Sequence, residues 1–381
     1  MAFERAFGQE KIKSFLLSAI RQGHLAHAYL FFGDAGVGKD AMAAGLGLAL
    51  NCEDAEKGGC GECPACRRIL RLEHPAFRFM LPVPARPKAM KVERYQEIIR
   101  ERHLARVENP YLPVSFSPEI STLPVIGIDQ IRLLKQDTRL RIADGKARVI
   151  VLSHAEEMTV AAANSLLKLL EEPPFGTYLV LTTENPSRIL PTILSRCQML
   201  RFPPLDEETV CRALKVRWGM EGKKAELLSR LSGGSIQKAL GFLDSEFEAR
   251  REAAFRFLEA CGRGKRLHVF TETDQMLSQW DKNGFITWME ILQGLLRDLL
   301  QLDAGADQRL IHADMASRLG GIRDRWSGPG LESALAHTEQ AIDLIGKNVY
   351  LNVIIHELGS ALMRCRSVTA ERSIHGQNIG S

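Results

Sequence analysis

GDAGVGKD, Gly33 through Asp40, follows the apolar run AYLFF (Ala28–Phe32) and opens a run of small, helix-compatible residues from Ala41 to Leu50. A strand, a glycine loop and a helix in that order is the context in which a phosphate-loop motif carries weight. Gly33, Gly36 and Gly38 let backbone N–H groups curl around a phosphate, and the helix N-terminus adds its positive partial charge. Lys39 brings a cation for the outer phosphates. The last position of the motif calls for a Ser or Thr hydroxyl to ligate Mg²⁺, and Asp40 stands there instead. The candidate nucleotide-binding residues are therefore Gly33, Gly36, Gly38, Lys39 and Asp40. Whether ATP and Mg²⁺ occupy the loop stays open.

Outward from the loop, the pattern is one of strands separated by helices. Arg148–Leu152 (RVIVL) is a continuous apolar run of the kind buried on both faces of a parallel sheet. Phe77 to Leu81, Tyr178 to Thr183 and Met199 to Phe202 read as further strands. Residues 10–22 carry apolar side chains at helical spacing, as do Ile128, Ile131, Leu134 and Leu140. Thr159 can cap a helix that Pro173-Pro174 stops near Glu172. Together these predict a doubly wound parallel α/β sheet. In a phosphate-loop ATPase a strand such as 148–152 ends in carboxylates that hold Mg²⁺ and polarise water. Here it ends in Ser153-His154, and Glu156 and Glu157 follow too late, as solvated side chains.

Residues 82–127 interrupt this alternation. Seven of the 16 prolines fall there, around a basic, helix-like stretch from 88 to 107, and no function is legible in it. After Pro204 the strand signal ends. Short helices at 206–219 and 223–243 precede helical stretches at 246–262, 276–303, 308–324 and 330–366, with a polar tail from 368.

Four of the 8 cysteines lie in one short stretch, Cys52, Cys60, Cys63 and Cys66. Two Cys-x-x-Cys steps with Gly58, Gly59, Gly61 and Pro64 to make the turns can wrap one tetrahedral Zn²⁺. Four thiolates leave no open position, so such a site is structural. Cys197, Cys211, Cys261 and Cys365 are scattered among apolar neighbours and read as buried thiols.

Chain totals narrow the class. No apolar run reaches the ~18 residues of a membrane span, and the first residues show no secretory pattern, so a cytoplasmic protein without a membrane partner is expected. A net charge of +4 is too small to argue for direct nucleic-acid binding.

Several stretches together resemble one family. They are HAYLFFGDAGVGK (His27–Lys39), the four-cysteine knuckle, ANSLLKLLEEPP (Ala163–Pro174) and LSRC (Leu194–Cys197), followed by a helical lid and a helical C-terminal third. The chain resembles the clamp-loader subunits of bacterial DNA polymerase III, which are AAA+ proteins. The resemblance implies a RecA-like AAA+ domain at 1–204, carrying the knuckle at 52–66 and the insertion at 82–127. A helical lid at 205–245 and an all-α collar at 246–381 complete the expected layout. It also implies a place in a hetero-oligomeric ring with tau/gamma and delta subunits, acting on a sliding clamp and primer-template DNA.

Within that family the tau/gamma motor has an intact ATPase site, whereas the delta-prime stator has a degenerate one. The motor's loop hydroxyl is matched here by Asp40, its Asp-Glu pair by Ser153-His154 and its lid arginine by Gln237. These replacements point to the delta-prime kind, whose Ser-Arg-Cys arginine, Arg196 here, reaches the ATP of a neighbouring subunit as a finger in trans. The competing readings are a self-sufficient DNA-stimulated ATPase and a zinc-ribbon nucleic-acid binder. The enzyme assignment is accordingly open, with little activity expected of the chain alone.

Overall fold

The computed structural model describes residues 3–54, 58–113, 116, 120, 122–139, 147–243, 246–305, 310–346 and 349–367. Leu140, the polar tail and parts of the 82–127 insertion fall outside them. The chain divides into two compact units: Met1–Gly222 with Ser232–Leu240, and Lys223–Leu231 with Gly241–Ser381.

The first unit is built on a parallel sheet of five strands, β1 (Ala28–Phe32), β2 (Phe77–Met80), β3 (Arg148–Leu152), β4 (Thr177–Thr183) and β5 (Gln198–Arg201). Their order is β2-β3-β4-β1-β5, and every pairing is parallel. Register sets Phe32 beside Thr183 and Leu152 beside Leu181. The carboxyl ends of the central strands therefore finish side by side, where an open α/β sheet presents its binding crevice. All five residues of β3 are buried, which explains the unbroken apolar run from Val149 to Leu152. This is the doubly wound parallel α/β sheet expected from the sequence.

Helices α1 (Glu10–Arg21), α2 (Lys39–Asn51) and α3 (Pro64–Leu70) precede or follow β1, and α4 (Val92–Glu108) lies in the insertion. Gly47 sits in mid-α2, where a Cβ would stand 2.6 Å from the Phe77 ring, so a small residue is needed for helix and sheet to close up. Helices α5 (Ile128–Arg139), α6 (Val160–Glu171) and the single turn α7 (Pro191–Leu194) complete the sheet layers. Ile131, Leu134, Leu166 and Leu170 form one core with Leu30, Ile150 and Leu181. Thr159 caps α6 as expected, accepting from the Ala162 N–H at 3.2 Å. Two further helices of this unit, α8 (Glu207–Trp218) and α10 (Ile236–Gly241), flank α9 (Gly222–Leu231), most of which belongs to the second unit.

The second unit is helical: α11 (Phe247–Arg263), α12 (Arg266–Gln279), α13 (Lys282–Asp303), α14 (Ala316–Arg323), α15 (Gly328–Gly346) and α16 (Leu351–Arg364). Its core holds Trp288, edge-on to Phe257 at 5.1 Å. The sequence reading missed α12 and ran α13 back to 276. The break falls at Trp280-Asp281, where the Asp281 carboxylate accepts from the Gly284 N–H at 2.8 Å and starts a new helix. Cys261 and Cys365 are buried as expected, whereas Cys197 and Cys211 are half-buried. Among the described residues no helix is long and apolar enough to cross a membrane.

Candidate functional site

The glycine loop has the shape that its sequence calls for. Gly33, Gly36 and Gly38 all take positive φ, a region that side chains avoid, and Gly38 leads into α2 at Lys39. What fills the loop is the chain itself. The Lys39 ammonium turns back onto the carbonyl oxygens of Gly33 at 2.7 Å and Asp34 at 2.6 Å. Burial lowers its pKa, against the pull of Glu184, Asp40 and Glu156. Residues of the 232–240 segment cover the loop. The Ser235 hydroxyl donates to the Ala35 carbonyl at 2.7 Å, and the Ile236 N–H donates to that of Gly36 at 3.1 Å. A Cβ at Gly36 would meet Gln237 at 2.5 Å.

Asp40 is 3% exposed and its carboxylate receives four donors. Arg106 reaches Oδ2 with Nε at 2.8 Å and Nη2 at 2.7 Å. The Ser153 hydroxyl donates to the same oxygen at 2.6 Å, and the Thr182 hydroxyl donates to Oδ1 at 2.6 Å. Burial raises the carboxyl pKa, but Arg106, His154 and the two hydroxyls more than reverse this and hold it well below the usual range. A depressed folded pKa means that the stabilisation is present above the unfolded carboxylate value near ~4. It is lost only as pH falls from there through the lower folded value. The pair is thus intact across the neutral range.

Arg106 comes from α4, inside the insertion that had no legible role. The neck of the insertion is closed by paired hydrogen bonds between Val83 and Val125, each 3.0 Å. Beyond α4, Tyr111 is fully buried. Its hydroxyl accepts from the Phe7 N–H at 2.9 Å and donates to the Arg5 carbonyl at 3.1 Å. The same hydroxyl lies 3.2 Å from where a Cβ on Gly38 would be. Arg5 and Arg217 donate to the last carbonyls of α4, at Val107 and Glu108, where cations also suit the helix dipole. These anchors hold Arg106 against Asp40. The space left between the loop, Arg106 and Thr182 is about 10 Å³, room for one water and no phosphate.

A buried ion pair that loses one partner leaves an uncompensated charge, at a cost of about 3–5 kcal/mol. Asp40→Ala and Arg106→Ala are each expected to destabilise the chain by about that much in urea titrations. The double variant should lose less than the sum, because neither charge is then stranded. Strict additivity would mean that the two side chains act independently.

At the end of β3, Ser153 is committed to Asp40, and His154 adopts a left-handed φ of 52°. Its Nδ1 lies 3.9 Å from Glu156 and 4.0 Å from Glu184. Glu156 is not the solvated side chain expected: its carboxylate is nearly buried and accepts from the Glu184 N–H at 3.1 Å. Glu157 pairs with Arg188 at the surface.

The four candidate metal ligands do converge. The Sγ atoms of Cys52, Cys60, Cys63 and Cys66 all lie within 4.8 Å of one another. A tetrahedral ion with metal–sulfur bonds of about 2.3 Å needs sulfurs about 3.8 Å apart, so a small closure suffices. Backbone N–H groups already point at the sulfurs. Cys63 and Glu62 donate to the Cys60 sulfur, and Cys66 donates to that of Cys63. Those donors draw the Cys60 thiol down to about 7, toward the thiolate that a metal binds. The set fits a metal ion.

Arg196 follows α7 and precedes the edge strand β5. Its Nε and Nη2 donate to Glu171 Oε1 at 3.1 and 2.7 Å. Its Nη1 donates to the Thr192 carbonyl at 2.9 Å and the Ser195 hydroxyl at 3.2 Å. The arginine is 35% and Glu171 49% exposed, so this is a surface pair, while Lys168 and Glu172 lie exposed on the same helix end.

The family described as "DNA polymerase III, delta subunit" matches residues 8–206, just over half the chain, including the loop, the knuckle and Arg196. The chain belongs to this family. It is similar to the DNA polymerase III subunit delta' of Bacillus subtilis, at 27% identity over 81% of this chain and 82% of that one. The delta' subunit of Pseudomonas aeruginosa is 35% identical over 55% of this chain and 53% of its own length. The tau subunit of Salmonella typhimurium is 29% identical over 64% of this chain and 32% of that longer one. The clamp-loader resemblance read from the sequence is thereby borne out, on the delta-prime side.

Proposed function

We propose that this clamp-loader subunit is a stator. It hydrolyses no ATP itself, completes the ring with tau/gamma and delta subunits, and offers Arg196 to ATP bound by a neighbour while the clamp is loaded on primed DNA. The observation that carries the reading is the end of β3. A hydrolytic site needs a carboxylate there to hold Mg²⁺ and polarise water, and Ser153 instead spends its hydroxyl on Asp40. Arg196 supports the second half. Its guanidinium is held by a surface carboxylate, a partnership worth about 0–1 kcal/mol, and can exchange it for a phosphate at little cost. A guanidinium stays charged and presents a rigid fork of donors, which suits charge building on a transferring phosphoryl group. In this reading the Cys52/60/63/66 set holds a structural Zn²⁺, residues 1–204, 205–245 and 246–381 serve as AAA+ domain, lid and collar, and the protein works in the cytoplasm.

ATP hydrolysis by the purified chain with primed DNA tests the reading. No turnover is expected above a Lys39→Ala control. Turnover that Lys39→Ala abolishes would make the chain a motor.

A further inference from the structure

The stator reading says that this chain does not hydrolyse ATP. It leaves unsaid why a loop with its glycines and lysine in place should not at least bind it. Resting on that reading, we propose that Arg106 is the resident cation of the phosphate loop and holds the place of the divalent ion, so that the insertion helix keeps Mg²⁺-nucleotide out.

The residues present do not fit Mg²⁺ with a nucleotide. The position that should offer a neutral hydroxyl carries Asp40, and a carboxylate beside a triphosphate needs a counter-charge. That charge is supplied from within: Arg106 places two donors on Asp40 Oδ2, while Ser153 and Thr182 satisfy the rest of the carboxylate. The third guanidinium nitrogen donates to the Leu112 carbonyl, so the cation is held by backbone as well as by its partner. A metal entering here would meet a positive charge already fixed at the site, and a carboxylate that already accepts four donors, three of them on Oδ2.

Three other features push the same way. Lys39 is folded onto its own loop. Tyr111 closes over Gly38. The anchors of Arg5 and Arg217 on the end of α4 leave the guanidinium no easy retreat. Nucleotide therefore requires α4 to give way before it enters, and the apparent affinity of a site falls in proportion to the population of its open state.

The test is calorimetric titration of the full chain with MgATP. The wild-type chain is expected to show no saturable binding up to millimolar nucleotide. Asp40→Thr combined with Arg106→Ala restores the hydroxyl and removes the cation. It is expected to bind MgATP at least ~100-fold more tightly, as for a loop opened from a population of one in a hundred or less. Adding Lys39→Ala should abolish the gain. Should that double variant fail to fold by circular dichroism, Asp40→Ser with Arg106→Leu retains the apolar stem that packs beneath the guanidinium. Submicromolar to micromolar MgATP binding by the wild-type chain would overturn the proposal, as would a folded double variant that still binds nothing. Either result leaves the stator reading standing, since that reading is tested by turnover of the wild-type chain and by Arg196→Ala in the assembled loader, not by nucleotide binding.

Discussion

Arg196→Ala is expected to leave this subunit folded and to cut ATP turnover at the neighbouring site of the assembled loader by about 10³–10⁵, the range of arginine fingers supplied in trans. Folding should survive because the side chain is a third exposed and its ion pair with Glu171 lies at the surface, where such pairs contribute about 1 kcal/mol or less. In a loader with several ATP sites, steady-state turnover would fall only to what the other sites sustain. Single-turnover hydrolysis is therefore the sharper measurement. Arg196→Lys is expected to recover little, because an ammonium keeps the charge but not the planar fork. A reconstituted loader that hydrolyses ATP normally with Arg196→Ala would remove this residue from the mechanism.

The second large effect concerns the cysteines. Metal analysis is expected to find one zinc per chain, lost on Cys63→Ser. Cys63→Ser is the sharpest choice because a serine hydroxyl can still accept the Cys66 N–H at the start of α3, so the variant removes a ligand while keeping the helix cap. In isolated zinc-finger peptides the metal contributes an apparent 10–16 kcal/mol, roughly. Here the knuckle hangs on a folded sheet, so the expected result is local: 52–73 loosens while the parallel sheet persists. Acidification should release the ion as protons compete for the thiolates, visible as metal transferred to a coloured chelator. Purified protein free of zinc, with the 52–73 segment protected from protease, would contradict the assignment.

The sheet was legible because its signals are local. RVIVL has to be buried on both faces, and GDAGVGKD between a strand and a helix admits few alternatives. The cysteine set was legible for the same reason, its ligands lying within one short stretch. Arg106 was not. It sits 66 residues from Asp40 in a helix that is basic and polar on most of its surface, with nothing to mark it among Arg100, Arg102 and Arg106. One clue was present: a carboxylate at the start of a helix that the fold must bury demands a cation from somewhere. The sequence supplied the demand and hid the donor. Glu156 was misread likewise, since the N–H that it accepts belongs to Glu184, just past the end of β4. The start of α13 was misplaced for a different reason: the Asp281 cap resembles any polar residue inside a long helical pattern.

The Asp40–Arg106 pair also bears on how such a loop changes over generations. Restoring the hydroxyl at position 40 alone strands a buried guanidinium, and removing the arginine alone strands a buried carboxylate. Each first step back toward a metal site passes through a destabilised protein, although the two changes together need not. Single substitutions at either position are therefore expected to be tolerated less well than the paired change, so that in chains built like this one positions 40 and 106 should vary together.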